Sequence, residues 1–155
     1  MRHVPTHDRY PSPQTPSPGW LQPTNWRTAV TDRRIALALK ILQKEHDRIG
    51  RAADLAKRLN LSESRFRHLF VKQTGISPDR FLRQVRLERA RTLLETSFLT
   101  IKEIVHSIGY TDASHFTRDY SARYHFPPGR YRALFFGPRS HNGQEIAGSV
   151  KSNVA

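Results

Sequence analysis

Between residues 31 and 135, apolar side chains recur every three to four positions, which is the period of an amphipathic α-helix. Alternating apolar and polar positions, which would indicate half-buried β-strands, do not occur. The apolar period predicts seven helices, of which the fourth is long. We therefore expect an all-α fold. The positions that define it include Ile35, Leu39, Leu42, Leu55, Leu59, Phe66, Phe70, Phe81, Leu82, Leu94, Ile104, Ile108, Phe116, Tyr120, Tyr124 and Tyr131.

Capping residues predict where several of these helices begin. Thr31 and Ser62 precede the first and third helices, and hydroxyl side chains accept hydrogen bonds from the unpaired N–H groups of a helix start. Ser77 followed by proline marks the start of the long fourth helix, because proline is tolerated at the first helical position. Thr100 and Glu103 have the spacing of a capping box and predict the start of the fifth helix.

Two segments of the chain repeat one pattern at a spacing of about 50 residues. Each has a short helix, a tight turn at Asn60 or Gly109, and a longer helix. Asn and Gly best tolerate the left-handed conformation that ends a helix. This arrangement is typical of a helix-turn-helix unit, and two copies strengthen the prediction. The corresponding pairs are Leu55 and Ile104, Leu59 and Ile108, Ser62 and Thr111, Phe66 and Phe116, and Phe70 and Tyr120.

The longer helix of each unit carries a polar stripe opposite its apolar stripe. The stripes are Ser64, Arg67, His68 and Val71 in the first unit, and Ser114, Thr117, Arg118 and Ser121 in the second. Neither contains an acidic residue, whereas a solvated helix face usually mixes both signs of charge. An ordinary solvated face is the alternative. We interpret both stripes as surfaces for a DNA groove, in which Arg67 and Arg118 are the candidates for reading guanine.

The charge of the chain favours a polyanionic partner. Its 155 residues include 26 Lys and Arg against 13 Asp and Glu, which gives a net charge of +13, and 20 of the 26 cations are Arg. Arginine matches phosphates and guanine edges with two parallel hydrogen bonds. Residues 31–135 alone carry a net charge of +10, so most of the excess lies on the predicted helical domain. On charge alone, a soluble protein with a solvated basic face is the alternative.

Composition also excludes several classes of protein. The absence of cysteine removes disulfides, zinc–thiolate sites and thiol catalysis. No apolar run is long enough to span a membrane, and the N-terminus lacks an apolar signal segment, so we expect a cytoplasmic protein. His3 and His7 would form a metal pair only on a helix, which Pro5 disfavours. No nucleophile–base arrangement or phosphate loop is visible, so we predict no enzyme activity, no cofactor and no metal.

The two ends of the chain differ from the helical part. Six of the ten prolines lie in residues 1–30, and we predict a flexible arm there. Residues 136–155 are mostly small and polar, and we predict a disordered tail.

Residues 31–135 resemble the DNA-binding domain of the AraC/XylS family of bacterial transcription regulators. The resemblance implies two helix-turn-helix subdomains joined by the long fourth helix, with both recognition helices in successive major-groove segments. His125 departs from the pattern, because the family usually has glycine there. The matching motifs are Leu55-Ala56, Phe66-x-x-Leu69-Phe70, Thr74-Gly75-Ile76-Ser77-Pro78, Arg86-Leu87-Glu88-Arg89-Ala90-Arg91-x-Leu93-Leu94, Ile108-Gly109-Tyr110, Ser114-His115-Phe116 and Pro128-x-x-Tyr131-Arg132.

The resemblance implies a sequence-specific regulator that binds double-stranded DNA, of the short stand-alone type that binds as a monomer. The family's base contacts fall on Ser64, Arg67, His68, Ser114, Thr117 and Arg118, which are also the residues of the two polar stripes. We predict phosphate contacts at Arg51, Lys72, Arg86 and Arg123. RNA polymerase is a second expected partner if the protein activates transcription. The alternative is a nucleic-acid-binding or architectural protein without sequence specificity.

Overall fold

The computed structural model describes residues 30–136, and within that range the chain forms seven α-helices and no β-strand. The prediction of an all-α fold is thereby confirmed. The predicted arm and tail lie outside the described residues, except that Val30 precedes the first helix and Phe136 ends the last. The helices are α1 (Arg33–Lys44), α2 (Leu55–Arg58), α3 (Glu63–Thr74), α4 (Pro78–Thr96), α5 (Ile101–Ser107), α6 (Ala113–Tyr124) and α7 (Pro128–Phe136), with a 3₁₀ turn, Ala52–Asp54, before α2.

Three of the predicted helix starts are confirmed by their side-chain hydrogen bonds. Ser62 Oγ accepts a hydrogen bond from the backbone N–H of Arg65 at the start of α3, at 3.3 Å. Ser77 caps α4 in the same way, with proline as the first helical residue. Thr100 and Glu103 form the reciprocal capping box of α5.

Two helices begin at an aspartate rather than at the preceding threonine. Asp32, not Thr31, caps α1, and its carboxylate accepts from the backbone N–H of Arg34 at 2.9 Å. The Arg34 guanidinium also binds this carboxylate and lowers its pKa to about 2. Likewise Asp112, not Thr111, caps α6. A carboxylate accepts charge-assisted hydrogen bonds and interacts favourably with the positive end of the helix dipole.

Two separate hydrophobic cores lie along one shared helix. The first is built from α1, α2 and α3, and it includes Phe81 and Leu82 from the N-terminal half of α4. The second is built from α5, α6 and α7, and it includes Leu87 and Leu94 from the C-terminal half of α4. Because successive halves of α4 belong to different cores, this helix positions the two helix-turn-helix units relative to each other.

Tyrosine hydroxyls fasten the second unit to α4. Tyr124 donates a hydrogen bond to Glu88 Oε2 at 2.9 Å, and Tyr131 donates one to Glu95 Oε1 at 2.6 Å. Burial and the Glu95 carboxylate raise the pKa of Tyr131 to about 12, so its hydroxyl stays protonated and able to donate at neutral pH. None of the helices in residues 30–136 is long and apolar enough to cross a membrane.

His125 ends α6 in the left-handed conformation, with φ of 65°. Because this conformation strains a residue with a side chain, we expect His125→Gly to raise the free energy of unfolding by about 0.5–1 kcal/mol. Chemical denaturation measures the change. The matched control is Ala122→Gly in the interior of α6, which should instead lower stability by about 1 kcal/mol. A destabilised His125→Gly protein would show that the imidazole makes contacts that outweigh the backbone strain.

Candidate nucleic-acid interface

The outer face of α3 is presented by a short helix-turn-helix unit. α2 ends in a turn at Asn60, whose φ is 53°, and α3 then begins at its Ser62 cap. Phe66 and Phe70 are completely buried and pack edge to face, with ring centroids 5.6 Å apart. This packing fixes the rotation of α3 about its axis and leaves the predicted stripe on the opposite side.

All four residues of the α3 stripe are exposed, and three of them are polar. Ser64, Arg67 and His68 lie on the solvent face, and Val71 is 40% exposed. Within residues 30–136, no side chain or carbonyl is hydrogen-bonded to the guanidinium of Arg67. The nearby carboxylate of Glu63 is bound to Arg51 at 3.3 Å. The Arg67 guanidinium is therefore available to an external acceptor.

The outer face of α6 repeats this arrangement in the second unit. Gly109, with φ of 78°, forms the turn after α5, and Phe116 and Tyr120 are completely buried. Ser114 and Arg118 are exposed, whereas Thr117 is half-buried. The guanidinium of Arg118 has no hydrogen-bond or ion-pair partner among the described residues.

The two carboxylates at α6, Asp112 at its N-cap and Asp119 within it, accept hydrogen bonds from the second unit. Asp112 Oδ1 accepts hydrogen bonds from the backbone N–H groups of Ser114 at 2.6 Å and His115 at 3.1 Å. These backbone hydrogen bonds hold the pKa of Asp112 below its ordinary value. Asp119 Oδ2 accepts from the Tyr110 hydroxyl at 3.1 Å. Asp119 is therefore engaged within the second unit, whereas the exposed Asp112 occupies the N-cap of α6.

Two of the residues predicted to contact phosphates are exposed. Lys72 lies in the last turn of α3, next to the predicted recognition stripe, and it makes no ion pair within residues 30–136. Arg51 lies just before the 3₁₀ turn, and its side chain is 70% exposed beside Glu63. Both positions are open to a polyanion.

The other two predicted phosphate contacts are engaged inside the protein. Arg86 Nε donates to the carbonyl oxygen of His46 at 2.9 Å, and its Nη2 donates to that of Ile49 at 2.6 Å. Burial of Arg86 lowers its pKa from the ordinary value. The Arg123 side chain is only 15% exposed, and it lies 3.8 Å from Glu88. This geometry does not favour phosphate contacts at either residue.

A cleft that the sequence pattern did not predict lies between the two units. It encloses about 430 Å³, and Arg83, His115 and Arg118 are among its lining residues. The Arg83 side chain is 59% exposed and lies 3.5 Å from Asp119. The signal in the sequence was weak, because Arg83 is one of several arginines on α4 and only the folded chain shows which of them faces this cleft.

Comparison with known proteins agrees with the geometry of the two units. The sequence model of a helix-turn-helix domain matches residues 55–134, which is more than half of the chain. The chain belongs to the AraC family. This family consists of DNA-binding transcription regulators rather than enzymes, and the resemblance drawn from the sequence motifs is confirmed.

Curated relatives include regulators from several bacteria. The chain is 34% identical to the Msm operon regulatory protein of Streptococcus mutans over 93 residues, which cover 60% of the chain and 34% of the relative. It is 28% identical to the transcriptional regulator MtrA of Neisseria gonorrhoeae over 102 residues, which cover 65% of the chain and 34% of the relative. The chain thus spans about a third of the length of these relatives.

Solved structures match at the scale of an isolated DNA-binding domain. The C-terminal domain of the response regulator YesN of Fusobacterium nucleatum is 30% identical, with a TM-score of 0.59, and the match covers 63% of this chain and 95% of that domain. The DNA-binding domain of AdpA, solved in complex with a target DNA, is 25% identical with a TM-score of 0.62. That match covers 67% of this chain and 94% of the AdpA domain.

Proposed function

We propose that this protein is a sequence-specific transcription regulator that inserts α3 and α6 into successive major-groove segments of double-stranded DNA. The observation that carries the proposal is the pair of matching exposed helix faces, each with an arginine that has no partner within residues 30–136. Its relatives, among them an operon regulatory protein and a DNA-binding domain solved in complex with a target DNA, support it. An α-helix fits the major groove, where each base pair shows a distinct set of donors and acceptors.

The proposed base contacts divide into two groups. Arg67 and Arg118 each read a guanine, and a bidentate contact of this kind contributes about 1–3 kcal/mol of discrimination against other bases. Short polar side chains around them contact bases or adjacent phosphates, and these are Ser64, His68, Ser114 and Thr117.

The arrangement of the two units predicts the form of the operator. Two recognition helices in one chain read elements about 10 bp apart, so a monomer reads an asymmetric site of roughly 20 bp. Holding both helices on one face of the duplex requires a bend where the DNA is straight, at a cost of about 1–6 kcal/mol.

Selection of bound sequences from random duplex DNA tests the proposal. We expect one asymmetric motif with two elements, bound at least about 10³-fold more tightly than unrelated DNA in competition. Bound DNA without a common motif would contradict sequence-specific regulation and would favour the alternative, a general nucleic-acid-binding or architectural protein.

We further propose that the protein acts in the bacterial cytoplasm. At promoters whose transcription it activates, its second partner is RNA polymerase. Transcription in vitro from a promoter that carries the selected operator distinguishes activation from repression. No change in transcript level at saturating protein would contradict a regulatory role at that promoter.

Lys72 provides a prediction about phosphate binding. Its replacement by alanine should weaken binding about equally for all sequences and make the dependence of log K on log salt shallower by about 0.9. Lys40→Ala is the control, because this exposed lysine lies on α1, outside both helix-turn-helix units. Titrations of the operator and of a scrambled duplex at several salt concentrations measure both effects. An unchanged salt slope would assign Lys72 no phosphate contact.

A further inference from the structure

The two units meet at a second point besides the shared helix, and Arg86 lies at its centre. On α4, Val85 packs against the first core and Leu87 belongs to the second, so Arg86 stands where the helix passes between them. Its guanidinium donates to carbonyl oxygens of His46 and Ile49, in the loop between α1 and α2. The same guanidinium lies 5.9 Å from the ring centroid of Tyr110, which follows the turn of the second unit.

Gly109 brings that turn into direct contact with the loop between α1 and α2, whose Ile49 belongs to the first core. A Cβ atom at this position would lie 2.6 Å from the carbonyl oxygen of Asp47 and 2.9 Å from Arg86 Nη2. Both distances are far below van der Waals contact, and Asp47 contributes backbone, which has little freedom to move. Gly75 has almost the same φ, 76° against 78°, yet nothing lies within 4 Å of its Cβ position. Position 109 therefore requires glycine because neighbouring atoms approach closely there, whereas position 75 has no such neighbours.

The contact continues from the turn to the second recognition helix. The Tyr110 hydroxyl donates to Asp119 Oδ2 on α6 at 3.1 Å, and Arg83 of α4 lies 3.5 Å from the same oxygen. Burial is the main cause that raises the pKa of Tyr110, so this hydroxyl stays a donor throughout the neutral range. The chain of contacts thus links the α1–α2 loop, through Arg86 and Tyr110, to the helix that carries Arg118.

We propose that this junction, formed by Arg86, Gly109, Tyr110 and Asp119, holds the two units at one relative orientation and makes operator spacing a determinant of specificity. The proposal rests on the proposed function, since it concerns how two bound elements are read together. One inserted base pair turns one element relative to the other by about 34–36°, because B-DNA has about 10–10.5 bp per turn. With the junction intact, the protein accommodates that rotation only by breaking these partly buried hydrogen bonds or by releasing one element.

The DNA test compares two alanine variants that carry the same backbone strain. Gly109→Ala introduces a side chain into the junction, whereas Gly75→Ala introduces one into open space at nearly the same φ. Binding is measured to the selected operator and to the same operator with one base pair inserted between its elements. We expect the insertion to weaken wild-type and Gly75→Ala binding by the same factor, about tenfold or more. That factor should fall to about threefold or less in Gly109→Ala, together with weaker binding to the native operator. A folded Gly109→Ala protein with the wild-type factor would overturn the proposal.

A measurement without DNA separates the junction from the proposed function. Residual dipolar couplings of backbone amides, recorded on the full chain, should fit one common orientation for both units in the wild type. Arg86→Met keeps an extended side chain and removes the hydrogen bonds to the carbonyl oxygens of His46 and Ile49, which tie α4 beside Tyr110 to the α1–α2 loop, and it carries the test if Gly109→Ala does not fold. We expect the couplings of this variant to require a changed orientation or reduced order for the second unit. Unchanged couplings in this variant, or independent orientations in the wild type, would overturn the junction even if an operator is found. Failure to select any operator would overturn the proposed function. The couplings would still test the junction, because they are measured without DNA.

Discussion

Replacement of Phe116 by alanine should lower the free energy of unfolding by about 3–5 kcal/mol. The ring is completely buried in the second core, and it lies against Tyr110 and Tyr120 with centroid distances of 5.6 and 5.5 Å. Alanine removes the ring and leaves a cavity that two neighbouring aromatic rings do not fill. Denaturant titration measures the loss. Phe98→Ala is the matched control, because that ring is 76% exposed and its removal should change stability by about 0.5 kcal/mol or less.

The same substitution tests whether the two cores are separate cooperative units. Phe116 and Phe66 belong to different cores that share only α4. Amide hydrogen exchange in Phe116→Ala should therefore show a larger loss of protection in α5, α6 and α7 than in α1 and α3. Phe66→Ala should show the reverse distribution. An equal loss throughout residues 30–136 in both variants would mean that α4 and the junction at Arg86 and Gly109 couple the two cores into one cooperative unit.

The helices and the faces that they bury could be predicted because both depend on the spacing of apolar residues along the chain. Phe66 and Phe70 recur with the helical period, and their burial fixes which face of α3 remains exposed. The cap at Ser62 was also predictable, since its partner is only three residues away. The N-cap at Asp32 was missed because it follows Thr31, which is also a good N-cap, and for α6 the repeat aligned Thr111, not Asp112, with the Ser62 cap. Pattern alone does not decide which of two adjacent competent residues begins a helix.

The role of Arg86 was not predictable because its partners are backbone atoms distant in sequence. His46 and Ile49 lie about 40 residues before it. Every residue has a backbone carbonyl oxygen, so residue identity does not show which carbonyls accept these hydrogen bonds. From sequence alone, an arginine on a basic helix is as consistent with a phosphate contact as with hydrogen bonds to the protein's own backbone. Gly109 gave a partial signal, since a turn glycine was expected, but its close approach to Asp47 depends on the packing of two units. Local sequence determined each unit, whereas the contact between them appeared only in the folded chain.

Alanine at Arg67 or Arg118 should remove base discrimination at one element of the operator and leave the other element intact. Both side chains occupy the centre of an exposed helix face, and neither has a partner within residues 30–136. The free energy of unfolding should therefore change little, and the loss should appear only in DNA binding. A lost bidentate contact to guanine corresponds to about 1–3 kcal/mol, or about 5- to 150-fold in preference for the original base.

Selection from random duplexes, repeated with each variant, measures this loss position by position. Arg67→Ala should relax one element and Arg118→Ala the other, because α3 and α6 belong to different units. Arg33→Ala is the control for loss of one positive charge, since Arg33 is exposed at the start of α1 and lies outside both units. It should return the wild-type motif. If the two recognition-helix variants also return that motif, the arginines do not read bases, and other residues of the two faces must do so.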